Sequence, residues 1–151
     1  MLAFAILTSC NTYNRGKMTT DKTTQTDLHR ILYYASLAGS SHNTQPWKVK
    51  ASGTDSLFVY PDFSRNLTVV DPEGRELYIS VGAFIENLEI AARCHGYGIE
   101  TKYITHAAES PAPLAEICLK NLHSLKNNET LDKIELRRTL RIPFDTLPVK
   151  E

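Results

Sequence analysis

Cysteine is scarce in this 151-residue chain: there are three, and no two of them stand as C-x-x-C. An odd set of thiols cannot pair completely, so neither a disulfide framework nor a zinc module is indicated. An excess of one charge is lacking too. Seventeen Lys and Arg balance seventeen Asp and Glu, for a formal net charge of zero. That argues against a partner held mainly by electrostatics, whether duplex nucleic acid or an anionic membrane face. No apolar run reaches the roughly 18 residues of a spanning helix. The five histidines (His29, His42, His95, His106 and His123) show no H-x-x-x-H or H-x-x-E spacing on a common helix face, so no metal site is expected. What is present is a globular composition, 42% hydrophobic and 23% charged, at a length that can bury a core. Composition therefore points to one α+β domain and says nothing about chemistry.

Periodicity orders the chain. Leu28, Ile31, Leu32, Ala35 and Ala38 fall at helical spacing and predict an amphipathic helix over 27–38, with Thr26-Asp27 as its cap and Gly39-Ser40-Ser41 as its stop. Residues 47–50 and 56–60 read as two short strands about the Gly53 turn. A further strand is possible at Leu67–Val70, between the Pro61-Asp62 turn and the Asp71-Pro72-Glu73-Gly74 turn. The most regular stretch is 75–95. Leu77, Val81, Phe84, Ile85, Leu88, Ala91 and Ala92 mark one apolar face, and Gly82 and Ala83 offer room for another helix. Strands are predicted again at 99–104 and 114–119, then a helix through Leu131, Ile134 and Glu135 with Thr130 as N-cap. The order fits an α+β layer with a mostly antiparallel or mixed sheet and flanking helices.

The amino-terminal run Met1–Thr8 is apolar and leads into Ser9-Cys10. It resembles a bacterial lipoprotein signal, in which a cysteine after a small residue receives acyl chains. No Lys or Arg precedes the run. On this reading residues 1–10 are a signal segment, Cys10 is a lipid anchor, residues 11–25 are a linker and the protein sits on the bacterial cell envelope. A mobile apolar tail or a first strand is the bland alternative, and a cytoplasmic location goes with it.

Two stretches could carry chemistry. Ala38-Gly39-Ser40-Ser41-His42-Asn43-Thr44-Gln45-Pro46-Trp47 takes a helix end through a small polar loop into a strand. Such a loop presents amides and hydroxyls that suit the edge of a flat heteroaromatic ligand or a phosphate. It also suits a plain capped turn whose polar side chains satisfy their own backbone. Arg137-Arg138-Thr139-Leu140-Arg141 sets three guanidinium groups beside a hydroxyl, a competent phosphate clamp or a solvated basic surface. His42 could reach a substrate or bond locally. Cys94 and Cys118 read as small buried fillers, Asp71 and Glu76 as parts of a capped turn, and Tyr33, Tyr34 and Tyr60 as packing residues.

Taken together, these strings are similar to the FMN-dependent nitroreductase family. The S-S-x-N-x-Q-P-W string from Ser40 to Trp47 resembles its flavin loop. Asp71-Pro72-x-Gly74-Arg75-Glu76 followed by Ile79-Ser80-x-Gly82-Ala83-x-Ile85-x-Asn87-Leu88 resembles its central helix, more closely in the Acg-like branch with two units in tandem. Arg137-Arg138-Thr139-Leu140-Arg141 is similar to the R-R-S-x-R signature that opens a unit, and before Ser40 the stretch Gln25–Arg30 offers only Arg30.

The resemblance implies a nitroreductase-like α+β fold, with a first unit over 26–126 and the truncated start of a second over 127–151. It implies that Ser40, Ser41 and Asn43 approach the flavin, that Gln45 supports the loop, and that Arg137, Arg138, Thr139 and Arg141 hold the FMN phosphate. The helix over 81–92 would meet the second unit or a homodimer partner. Hydride would pass from NAD(P)H to the flavin and on to a nitroaromatic or quinone-like acceptor, with no acid or nucleophile required of this chain. The alternative from another class is a non-catalytic half-unit, serving as lid, dimerisation partner or FMN store without turnover.

Overall fold

The computed structural model describes residues 27–52, 55–105, 110–122 and 129–140. The expected signal segment, Cys10, the linker and Arg141 lie outside the described residues, as does the Thr26 part of the first helix cap.

Among the described residues seven main elements follow one another: α1 (Asp27–Ser36), β1 (Trp47–Ser52), β2 (Ser56–Pro61), α2 (Arg75–Cys94), β3 (Tyr97–Tyr103), β4 (Ala115–Asn121) and α3 (Glu129–Leu136). The four strands form one antiparallel sheet in the order β1-β2-β4-β3. β4 is inserted between β2 and β3, so the two strands joined through α2 run parallel to each other without pairing. Leu57, Val59 and Pro61 alternate as the buried positions of β2, and Ala115, Ile117 and Leu119 do the same on β4. The register sets Leu57 opposite Ile117 and Val59 opposite Ala115, which builds one apolar sheet face.

That face is covered by α2. Leu77, Val81, Phe84, Ile85, Leu88, Ala91 and Ala92 are all buried, as their steps of three and four predict. Trp47 stacks on Phe84 with ring centroids 5.0 Å apart, which ties β1 to the helix. α1 adds Ile31 and Ala35 to the core and α3 adds Leu131 and Ile134.

The ends of α2 show why it starts and stops there. Pro72 sits in a turn closed by Gly74 N–H donating to the Asp71 carbonyl (3.1 Å). Gly74 takes φ +69°, which costs a residue without Cβ nothing. The buried Asp71 carboxylate then accepts from Leu77 N–H (3.0 Å), satisfying one open donor of the first turn. At the other end Gly96 takes φ +84° and closes the helix.

Three expectations need correction. Leu67–Val70 is a turn and not a strand: Val70 and Asp71 both donate their N–H to the Leu67 carbonyl, which curls the backbone away from any partner strand. Thr130 lies inside α3, because the helix already begins at Glu129. α1 ends at Ser36 rather than 38, and Leu37 and Ala38 continue as a tighter turn with bonds to Tyr34 and Ala35. Gly82 meets no neighbour within 4 Å of where a Cβ would stand among the described residues. The apolar positions of 81–92 face this unit's own sheet. Cys94 is buried, as expected of a filler, and burial pushes its thiol up. Cys118 is only half-buried and lies 3.7 Å from the Ser56 hydroxyl. No helix among the described residues is long and apolar enough to cross a membrane.

Candidate functional site

The segment from Gly39 to Pro46 carries α1 into β1, and its backbone is unusual. His42, Asn43 and Gln45 all have positive φ, at 49°, 58° and 49°. Non-glycine residues enter this region rarely and only where their surroundings hold them. The holding bonds can be named. The Ser40 hydroxyl accepts from Gln45 N–H (3.0 Å), closing the loop across its mouth. The Ser41 carbonyl accepts from both the N–H (3.0 Å) and the hydroxyl (2.9 Å) of Thr44. Ser41 N–H donates to the Ser80 hydroxyl on α2 (3.2 Å). Arg65 donates to the Thr44 carbonyl (2.9 Å).

Arg65 is itself seated. Its Nε lies 3.5 Å from the Asp62 carboxylate, which also accepts from Lys48 Nζ (2.8 Å), Ser64 N–H (3.2 Å) and the Ser64 hydroxyl (2.6 Å). Burial by itself would raise the Asp62 carboxyl. The hydrogen bonds from Lys48 and Ser64 outweigh it and hold the group below its ordinary range.

The first arginine of the cluster comes from the far end of the described chain, yet it closes on the same loop. Arg137 follows α3 directly. One guanidinium nitrogen donates to the Leu37 carbonyl (3.2 Å), an open acceptor at the end of α1. The other contacts the Thr139 hydroxyl (3.4 Å). A Cβ on Gly39 would stand 3.4 Å from the same guanidinium, so the glycine lets the arginine lie close over the loop. α3 is held in place by Leu131 and Ile134 in the core and by the contact of Glu135 with Tyr34. Burial, with Glu135 nearby, pushes the Tyr34 phenol up to about 12, so it stays neutral. Asn87 of α2 donates to the Tyr34 carbonyl (3.3 Å) and ties the same corner.

Between the loop and this arginine lies a cleft of about 420 Å³, lined by Gly39, Ser40, Ser41, His42, Asn43, Arg137 and Thr139. Its size falls in the range of small-molecule sites, roughly 300–1,000 Å³. A second cavity of about 400 Å³ lies on the other side of His42, against Asn66, Leu67, Thr68, Val69 and Val70. Of the predicted site residues, Ser40, Ser41, Asn43, Arg137 and Thr139 therefore share one cleft. Gln45 does not line it, and its backbone N–H bonds the Ser40 hydroxyl. Arg138 is exposed and does not line the cleft. No group of three His, Cys, Asp or Glu among the described residues could hold a metal ion.

Sequence reasoning missed the residues behind the loop. Ser80 stood within the quoted helix motif without a role. Asp62 stood only in the Pro61-Asp62 turn and Arg65 in no motif, and only the fold brings Arg65 to Thr44 with Asp62 behind it.

Comparison with known proteins gives the same direction. No family model matches the chain. An uncharacterized protein of Mycobacterium tuberculosis is 31% identical over 125 residues, covering 79% of this chain and 36% of the relative. A second protein of that organism, named "Putative NAD(P)H nitroreductase acg", is 32% identical over 114 residues, covering 74% and 34%. The chain thus spans about a third of the length of these curated relatives. Among solved structures, a protein of Staphylococcus epidermidis described as a "putative NAD(P)H:FMN oxidoreductase" superimposes with a TM-score of 0.51 at 13% identity, over 83% of this chain and 84% of that one. At that identity the likeness is one of fold.

Proposed function

From a chain that belongs to the nitroreductase-like family, we propose an FMN-binding oxidoreductase unit that takes reducing equivalents from NAD(P)H for a small aromatic acceptor, a nitroaromatic or a quinone. One observation carries the reading: the Gly39–Asn43 loop and Arg137 with Thr139, nearly a hundred residues apart, border a single cleft.

The donor set fits the cofactor. Arg137 supplies a fixed positive charge and Thr139 a hydroxyl, the pairing a phosphate monoester requires. Ser40, Ser41 and Asn43 supply short polar groups on a loop whose shape is already set, which suits a ribityl chain and the polar edge of a ring. When bound, the flavin supplies the two-electron chemistry, which no side chain here can provide. The chain's own part is to neutralise the phosphate at Arg137, orient the ring along the loop and shape the space at His42. Arg141 and a second unit or a partner copy complete the clamp in this reading. That the cleft draws only one of the described arginines favours a second reading, a half-unit that binds flavin without turnover.

The test is a titration of the purified chain with FMN and with riboflavin, followed by flavin fluorescence. FMN should bind and riboflavin, lacking the phosphate, should bind far more weakly. Arg137→Ala should remove about 1.5–3 kcal/mol, the scale of one charge-assisted contact. A colourless chain that takes up neither compound would end the proposal, and equal affinity for both would end the phosphate role.

A further inference from the structure

The structure assigns Ser80 as the positioning residue of the 39–45 loop, an inference that rests on that loop being the flavin-binding element. Ser80 is 3% exposed, in the second turn of α2. Its hydroxyl donates to the Glu76 carbonyl one turn back (2.7 Å) and accepts from Ser41 N–H (3.2 Å). The first bond fixes the rotamer, and the second uses it. A serine that bonds back to the fourth residue before it gives a helix no stability, so helix formation does not account for this residue. The bond to Glu76 uses only the hydroxyl's proton; its oxygen lone pair, buried on an otherwise apolar face, is taken by the loop.

The position of that bond in the loop gives it leverage. Ser41 stands immediately before His42 and Asn43, the two consecutive residues at positive φ. Its carbonyl holds Thr44, and the Thr44 carbonyl is held by Arg65. Two bonds to distant parts of the chain thus pin the loop at Ser41 and Thr44, Ser80 on the helix side and Arg65 on the Asp62 side. Between them the backbone keeps a conformation that it would otherwise leave. Ser80 does not line the cleft. Both of its bonds are internal, so it acts on a ligand only through Ser41. α2 is the most regular element of the fold, and Ser80 transmits that rigidity to the least regular one.

The experiment compares the full chain with Ser80→Ala and Ser80→Thr. Three quantities are read: amide hydrogen exchange at Ser41 to Thr44 without ligand, the FMN dissociation constant, and Tm. Ser80→Ala should speed exchange at Ser41 and weaken FMN about five- to tenfold, the scale of one neutral hydrogen bond. Ser80→Thr, which keeps the hydroxyl, should recover both. A purely structural role would lower Tm and leave FMN affinity in the folded chain unchanged, and that result overturns the inference. So does unchanged exchange at Ser41. If Ser80→Ala does not fold, Ser80→Cys keeps the volume with a poorer acceptor and carries the same comparison. A wild-type chain that refuses FMN overturns the flavin reading alone, because exchange at Ser41 still decides whether Ser80 holds the loop.

Discussion

Helix α2 and the 39–45 loop are joined by the hydrogen bond from Ser41 N–H to the Ser80 hydroxyl, yet they are built on opposite rules. In α2 a repeat does the work: apolar side chains recur every three or four residues, all point one way, and their burial against the sheet is cumulative. No single polar contact sets its course beyond the cap at Asp71. In the loop nothing repeats. Three residues stand at positive φ, each turn is held by one or two named hydrogen bonds, and the residues that face the cleft contribute nothing to the core. Stability thus sits in the repeating element, and the proposed binding residues sit in the one that repeats nothing. The cooperative element absorbs the cost of the irregular one, and a site held by single bonds is open to single mutations.

Three measurements put that contrast under strain. The largest effect belongs to the repeat. Phe84→Ala removes a ring that is 2% exposed and stacked on Trp47, and should cost about 3–5 kcal/mol of unfolding free energy in a denaturant titration. A loss below about 1 kcal/mol would show that the helix face is not the seat of stability. The cap comes next. Asp71→Ala unties Leu77 N–H and should cost about 0.5–2 kcal/mol, visible in Tm and in faster exchange over the first turn of α2. An unchanged first turn would leave Gly74 as the sole determinant of the helix start. The smallest effect is the acid dependence of the loop's rear support. The Asp62 carboxyl lies below its ordinary value of 3.8 in the folded chain. Its stabilisation is therefore full above the unfolded value and is lost as pH falls through the folded one. Asp62→Asn should flatten the acid limb of the stability profile between about pH 5 and the folded value, without changing its neutral plateau in slope. An identical acid limb in the variant would remove Asp62 from the account.

Much of this was legible beforehand, for a local reason. Periodicity reports which way a side chain points, so α2 and the four strands followed from spacing with errors of a few residues at their ends. The Asp71-Pro72-Glu73-Gly74 turn announced itself by residue type, because Pro fixes one φ and Gly permits another. Leu67–Val70 misled because its β-branched composition matches a strand, while a strand also needs a neighbour to bond. The bonds of Val70 and Asp71 to Leu67 went inward instead, leaving Val69 93% exposed. Thr130 misled on the smaller scale of a helix that already includes it.

Ser40 and Arg137 could each be picked out as a residue type suited to a ligand, and only the family resemblance put them on one ligand; residue spacing could not join them. Arg137 and Leu37 are 100 positions apart, and the bond between them exists because Leu131 and Ile134 bury α3 beside α1. Residue spacing settled the direction of each element's apolar face, since that depends only on backbone geometry within a turn or two. Packing alone settled that the helix ends meet, that Ser80 and Arg65 take hold of one loop, and that a guanidinium lies over Gly39. Such meetings depend on how whole faces fit together, and no local pattern carries that information.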